Sequence, residues 1–173
     1  VFEYVYFARP DSILNDINVA RVRTEMGRQL ARETGVKADL VVPVPDSGIF
    51  AAMGFAEELG ISYEQAFVRN HYIGRTFLQP SQLIRDFNVR VKLNLIGELV
   101  QGKRVIIVDD SIVRGTTCKT RVKTLKEAGA KEVHVLVSCP PHMHPCVYGI
   151  DFPDRSKLMA ANYSVAEIRN YLN

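Results

Sequence analysis

The sequence predicts an α/β domain whose central, mainly parallel sheet is covered by helices on both faces. Two strand-like runs, Leu40 to Val44 and Arg104 to Val108, each lead through a polar turn containing glycine into a segment of helical periodicity. A third run, Val133 to Ser138, follows the second of those helices. Strands without polar alternation need cover on both faces, which is the condition of a parallel sheet. A chain of 173 residues suffices for one such domain. Its 47% hydrophobic and 24% charged residues exclude the disordered, collagen-like and disulfide-scaffold classes.

Taken in order, Val1 to Phe7 is an apolar-aromatic run that reads as a strand, and it opens without Met, as if cut from a longer chain. Asp16 is placed to cap a helix through about Glu33, with Ile17, Val22, Met26, Leu30 and Ala31 at helical spacing and Gly35 as its stop. Leu40 to Val44 is a buried strand ending in Pro-Asp-Ser-Gly, and Ile49 to Leu59 is a helix closed by Gly60. The segment from about Arg69 to Lys92 is basic and aromatic with neither periodicity, the composition of a mobile lid or of a solvated basic loop. Gly102 precedes the strand Arg104 to Val108; the polar loop Asp109 to Thr117 and a helix from Lys119 to Ala128 follow, ended by Gly129. Val133 to Ser138 is the next strand, and Ser164 to Leu172 is helix-like up to the point where the given sequence stops.

The charge balance, 22 Lys+Arg against 19 Asp+Glu for a net +3, contains no basic block, so neither a nucleic-acid surface nor a membrane-binding face is expected. Three cysteines, Cys118, Cys139 and Cys146, lack CxxC spacing, and neither a signal peptide nor a long apolar run accompanies them, which points to a reducing cytoplasm. His142-Met-His-Pro-Cys146 has the residue types of a metal site without a zinc spacing and reads as a satisfied loop.

Chemistry is concentrated in the two turns at strand ends. In Val105-Ile-Ile-Val-Asp-Asp-Ser-Ile-Val-Arg-Gly-Thr-Thr117 two carboxylates leave a strand together, and a Ser/Gly/Thr/Thr loop enters a helix. Free amides at a helix start and three hydroxyls suit a phosphate monoester, whereas paired carboxylates suit vicinal hydroxyls or Mg²⁺. A sugar phosphate satisfies both halves. GxxxxGK[ST] and GxGxxG are absent, which disfavours nucleotide triphosphates and dinucleotides in their usual cradles. Taken alone, Asp109 and Asp110 also fit an Asx turn, and Ser47 of the Pro43 to Gly48 turn also fits a helix cap.

The 13-residue string resembles the ribose-phosphate motif of the type I phosphoribosyltransferases. Phe2 to Ser12, Val42 to Gly48, Gly74 to Ser81 and Pro145 to Asp151, in that order, narrow the resemblance to the glutamine phosphoribosylpyrophosphate amidotransferases. It implies the type I phosphoribosyltransferase fold with a flexible lid at about 69–92, for a domain spanning 1–173 that lacks the glutaminase domain and the C-terminal end. The implied reaction joins phosphoribosylpyrophosphate to ammonia, drawn from glutamine in the full enzyme, giving 5-phosphoribosylamine and pyrophosphate in purine synthesis. The 173 residues alone would then not use glutamine.

By the same resemblance Asp109 and Asp110 hold the ribose hydroxyls, Ser111 and Arg114, Gly115, Thr116 and Thr117 hold the 5-phosphate, and Asp46, Ser47 and Gly48 meet pyrophosphate. Arg69, Tyr72, Arg75 and Thr76 are lid contacts, Arg75 among the catalytic groups. Mg²⁺ would be bound by Ser47, Asp109 and Asp110, and Cys146 would be one ligand of a [4Fe-4S] cluster that some family members carry. Purine nucleotides as feedback inhibitors and a homo-oligomer are further implications. The rival readings are a salvage or orotate phosphoribosyltransferase and a non-enzymatic regulator that senses phosphoribosylpyrophosphate; the Gly74 to Ser81 string and the lack of a helix-turn-helix segment speak against them.

Overall fold

The computed structural model describes residues 1–69, 93–146 and 154–173. All of the expected lid except Arg69 lies outside the described residues, as does 147–151 of the Pro145 to Asp151 string.

The chain opens with a π-helical turn at Glu3–Phe7, not the expected strand; within it Val5 is buried while Tyr6 and Phe7 are exposed. A short hairpin follows, β1 (Ile13–Leu14) and β2 (Ile17–Asn18), paired antiparallel. Asn15 and Asp16 form its turn at φ of 49° and 62°, a conformation Asn and Asp tolerate. Asp16 therefore does not cap the first helix. Asn18 does, its side chain accepting from the Arg21 amide, and α1 runs Val19–Glu33. It stops at Thr34 in extended conformation, so Gly35 is not its stop either.

The sheet follows the predicted pattern closely. Strand β3 (Leu40–Pro43) leads into α2 (Ile49–Leu59), which ends on Gly60 at φ 64°. Then come β4 (Ser62–Tyr63), β5 (Phe67–Arg69), β6 (Leu93–Leu95), β7 (Arg104–Asp109), α3 (Thr116–Glu127) and β8 (Glu132–Val137). Two short helices close the described chain, α4 (Met159–Asn162) and α5 (Val165–Leu172), the second opened by a capping box between Ser164 and Glu167. Strands β4, β3, β7 and β8 form one parallel sheet in that order, while β5 and β6 pair antiparallel apart from it. Among the described residues no helix is long and apolar enough to cross a membrane.

Alternate strand residues supply two cores. Leu40, Val42, Val105 and Ile107 pack with Cys118, Val122 and Leu125 of α3 on one face. Val41, Ile106 and Val108 pack with Ala31 of α1 and Ala51, Ala52, Phe55 and Ala56 of α2 on the other. The α1–α2 contact is close because glycines face backbone on each side: a Cβ on Gly27 would stand 1.9 Å from the Ala51 carbonyl oxygen, and one on Gly54 would stand 2.0 Å from that of Thr24.

The register of the two central strands is set at their amino ends. The Asp39 amide donates to the Arg104 carbonyl at 2.9 Å, and the Arg104 amide and guanidinium donate back to the Asp39 carboxylate at 2.9 Å and 2.6 Å. These bonds hold the Asp39 carboxyl down at about 2, against an ordinary value of 3.8. A depressed carboxylate contributes stability above its unfolded value, and the contribution is lost as pH falls toward the folded one. The expected result for Asp39→Asn is a lower melting temperature at neutral pH and a shallower loss of stability between about pH 4 and pH 2. Thermal melts of both proteins across that range check it, and parallel pH curves would refute the assignment.

Candidate functional site

Both polar turns lie at the carboxyl ends of adjacent strands, where a parallel sheet gathers ligands. They line one cleft of about 1100 Å³, whose walls include Asp46, Ser47, Arg69, Asp109, Asp110, Ser111 and the run Arg114 to Thr117. The cleft thus brings together every described residue the sequence singled out except Gly48 and Cys146. Tyr72, Arg75 and Thr76 lie outside the described residues.

Gly48 is set back behind the first turn. Its amide donates to the Val44 carbonyl at 2.9 Å, and a Cβ there would stand 2.4 Å from the Val108 carbonyl oxygen. Gly48 lets α2 start against the end of β7, and its amide is not free to meet an anion. Ahead of it the Pro45–Asp46 peptide is cis, and the exposed Asp46 carboxylate accepts from Arg69 Nη1 at 2.5 Å.

Asp109 and Asp110 are each 6% exposed. Their carbonyls accept from the amides of Ser138 and Cys139, both at 3.1 Å, which extends the β7–β8 ladder past the strand end. Asp109 uses both carboxylate oxygens inward: Oδ1 accepts the Asp110 amide at 3.0 Å and Oδ2 accepts Arg121 Nη1 at 2.6 Å. Burial pushes its carboxyl up, and the Arg121 guanidinium opposes that shift. Asp110 Oδ1 accepts the Ser111 hydroxyl.

Downstream, Gly115 adopts φ 74° and caps α3, whose first-turn amides have no carbonyl to bond within the helix. With the exposed Thr116 and Thr117 beside them, these amides are donors of the kind an anion can take. Met159 backs the loop: its amide donates to the Val113 carbonyl at 2.9 Å, and a Cβ on Gly115 would stand 2.1 Å from Met159 Sδ.

Two of the arginines that line the cleft without having been singled out from the sequence are largely buried. Arg121 is one. Arg23, 4% exposed, is the other; its Nε and Nη2 donate to the carbonyls of Tyr4 at 2.7 Å and Ala8 at 2.8 Å. Burial lowers the Arg23 pKa, and the nearby charge of Asp110 works against that.

Cys118 and Cys139 are not poised as nucleophiles. Burial pushes the Cys118 thiol up to about 12 and raises that of Cys139, whose Sγ lies 3.3 Å from His142 Nε2. Among the described residues no three His, Cys, Asp or Glu form a group able to hold a metal ion. Ser47, Asp109 and Asp110 all line the cleft, and each Asp109 carboxylate oxygen already accepts one protein hydrogen bond.

Residues 11–147 match the family described as "Phosphoribosyl transferase domain". The chain belongs to the phosphoribosyl transferase domain family. It is 53% identical over 168 residues to the amidophosphoribosyltransferase of Archaeoglobus fulgidus, covering 97% of this chain and 37% of that protein. To the Bacillus subtilis enzyme it is 54% identical over 167 residues, 96% of this chain and 35% of the relative. A solved structure entitled glutamine phosphoribosylpyrophosphate (PRPP) amidotransferase from B. subtilis complexed with ADP and GMP superposes with TM-score 0.89 at 53% identity, over 99% of this chain and 38% of that one. This phosphoribosyltransferase domain thus spans just over a third of the length of these relatives.

The Gly115 geometry gives a direct test of anion binding at this loop. Gly115→Ala forces an L side chain into positive φ and against Met159, so it should destabilise the domain by roughly 1–3 kcal/mol and weaken inorganic phosphate binding. Calorimetric phosphate titration beside a thermal melt checks both; unchanged phosphate affinity would remove the loop from the binding site.

Proposed function

We propose that this phosphoribosyltransferase domain performs the transfer half of an amidophosphoribosyltransferase. Phosphoribosylpyrophosphate and ammonia give 5-phosphoribosylamine and pyrophosphate, and in the whole polypeptide glutamine is the source of the ammonia. The observation that carries the reading is the convergence, in one cleft, of a buried acid pair at a strand end with an open helix start whose first residue, Thr116, follows Asp110 by six positions. Sequence identity of 53–54% across nearly the whole chain to enzymes of that name supports it.

In the reaction the ammonia lone pair forms the N–C1 bond as the C1–O bond to pyrophosphate breaks, and the amine then releases a proton. Ammonia needs no strong general base, so the protein's work is positioning and charge stabilisation. The α3 amides with Ser111, Thr116 and Thr117 hold the 5-phosphate and fix one end of the sugar. Asp110 accepts from the ribose hydroxyls and lies on the side where positive charge develops, while Asp109 backs it from inside. Arg69, paired with Asp46 across the mouth, is the described cation nearest the leaving group's turn.

Purine nucleotides as regulators belong to the same proposal, supported by the B. subtilis relative whose structure is described as a complex with ADP and GMP.

Asp110→Asn should weaken sugar-diphosphate binding by about 1–3 kcal/mol, the value of a charge-assisted hydrogen bond, with the fold intact. The deciding assay is pyrophosphate release with ammonia, run beside adenine, hypoxanthine and orotate. At fixed total ammonium the rate should climb with pH as NH₃ replaces NH₄⁺, and it should not level off near 6.5 as a histidine base would impose. Release with a base but not ammonia would make this a base-specific transferase. Binding without any release would make it a sensor.

A further inference from the structure

Adjacent buried carboxylates repel each other and require compensation. A divalent cation between Asp109 and Asp110 is the compensation their pattern suggests, but the structure contains another. Arg121 reaches back from the second turn of α3, its side chain 16% exposed, and places Nη1 2.6 Å from Asp109 Oδ2. The Asp110 amide takes the other oxygen. Arg23 enters the same cleft from α1, held by two backbone carbonyls, with Nη1 making no hydrogen bond among the described residues. Two anions and two cations, all largely buried, therefore balance on one wall. Among the described residues Arg121 Nε is buried without a partner, and the bond to Asp109 is what holds the side chain there.

We infer that Arg121 is the standing counter-cation of the acid pair, taking the electrostatic place of a divalent ion, and is thereby a positioning residue for phosphoribosyl transfer. It fixes Asp109 as an inner carboxylate and leaves Asp110 as the acid that meets the sugar. A divalent metal then has no anchor at Asp109 and depends on the diphosphate's own oxygens. The ion pair stands apart from the reaction; only the word transfer rests on the function proposed above.

The test uses Mn²⁺ alone, followed by water-proton relaxation in the absence of any sugar diphosphate. Wild type and Asp109→Asn should bind Mn²⁺ alike. Arg121→Met uncovers Asp109 and should gain a site about ten-fold or more tighter than anything in wild type, and adding Asp109→Asn should abolish it. Arg121→Lys keeps the cation and should gain nothing. If Arg121→Met does not fold, as judged by near-ultraviolet circular dichroism, Arg121→Gln carries the same expectation. A wild-type Mn²⁺ site that Asp109→Asn removes overturns the inference, and so does a folded Met or Gln variant without a gained site. Failure of the wild type to bind phosphoribosylpyrophosphate would instead sink the transfer reading and leave the Mn²⁺ result to be judged by itself.

Discussion

Two neighbouring carboxylates at the end of a central strand, each almost wholly removed from water, are the constraint on which the site depends. β7 lies between β3 and β8 with apolar cover on both faces, so its end is a place of low dielectric where an uncompensated charge is costly. Each nearby element answers part of that demand. The residues after β8 satisfy the two backbone carbonyls, α3 supplies Arg121, and α1 supplies Arg23. The segment before α1 is recruited as well, because Arg23 is held by the carbonyls of Tyr4 and Ala8. The opening π-helical turn lines the cleft with Tyr6 and Phe7 and is tied to α1 through one guanidinium.

A single carbonyl sets the distance between the two functional turns. Val108 O accepts the Val44 amide at 2.9 Å and also lies where a side chain on Gly48 would have to go. The turn after β3 is thus docked against the residue that precedes the acid pair, and neither can shift without the other. Behind the second turn, Met159 and Lys119, whose ammonium stands 4.2 Å over the Tyr171 ring, tie α4 and α5 to the start of α3. The start of α3 is braced from behind for this reason.

Much of this was legible in the sequence. The bounds of α2 and its glycine stop were readable because a strong apolar run ends at a residue that takes positive φ. The strands of the parallel sheet were readable because both faces are buried, which removes any alternation to misread. Asp16 was misplaced because β1 and β2 are two residues each, too short for any periodicity to reveal, and Asn18 behind them is an equally good cap. In the expected stripe of α1 Ala31 is buried, Val22 and Met26 stand one residue before the buried positions, and Ile17 belongs to β2. The buried positions are Val19, Arg23, Gly27 and Ala31, spaced by four, and an arginine inside that stripe was a visible sign of a buried charge needing a partner. Arg121 was harder to see. It stands among Lys119, Lys123 and Lys126 in what reads as a solvated face, and only its offset of three from the buried Cys118 places it at the edge of the core side.

Balanced charge also explains how an acidic site can receive a polyanion. A sugar bearing phosphates at both ends would be repelled by two bare carboxylates, by several kcal/mol at these separations in a poorly solvated cleft. Arg23 and Arg121 cancel that field locally, so Asp110 acts on the ligand as a hydrogen-bond acceptor without acting as a net charge. At the mouth the same problem is met more loosely. Asp46 and Arg69 pair with 65% and 55% of their side chains exposed, and such a pair contributes only about 0–1 kcal/mol. A diphosphate competing for Arg69 therefore displaces Asp46 at little cost, whereas nothing that enters the cleft can cheaply displace Asp109 from Arg121. In the proposed reaction the acid that is held and the cation that is free to change partners therefore serve different parts of the ligand.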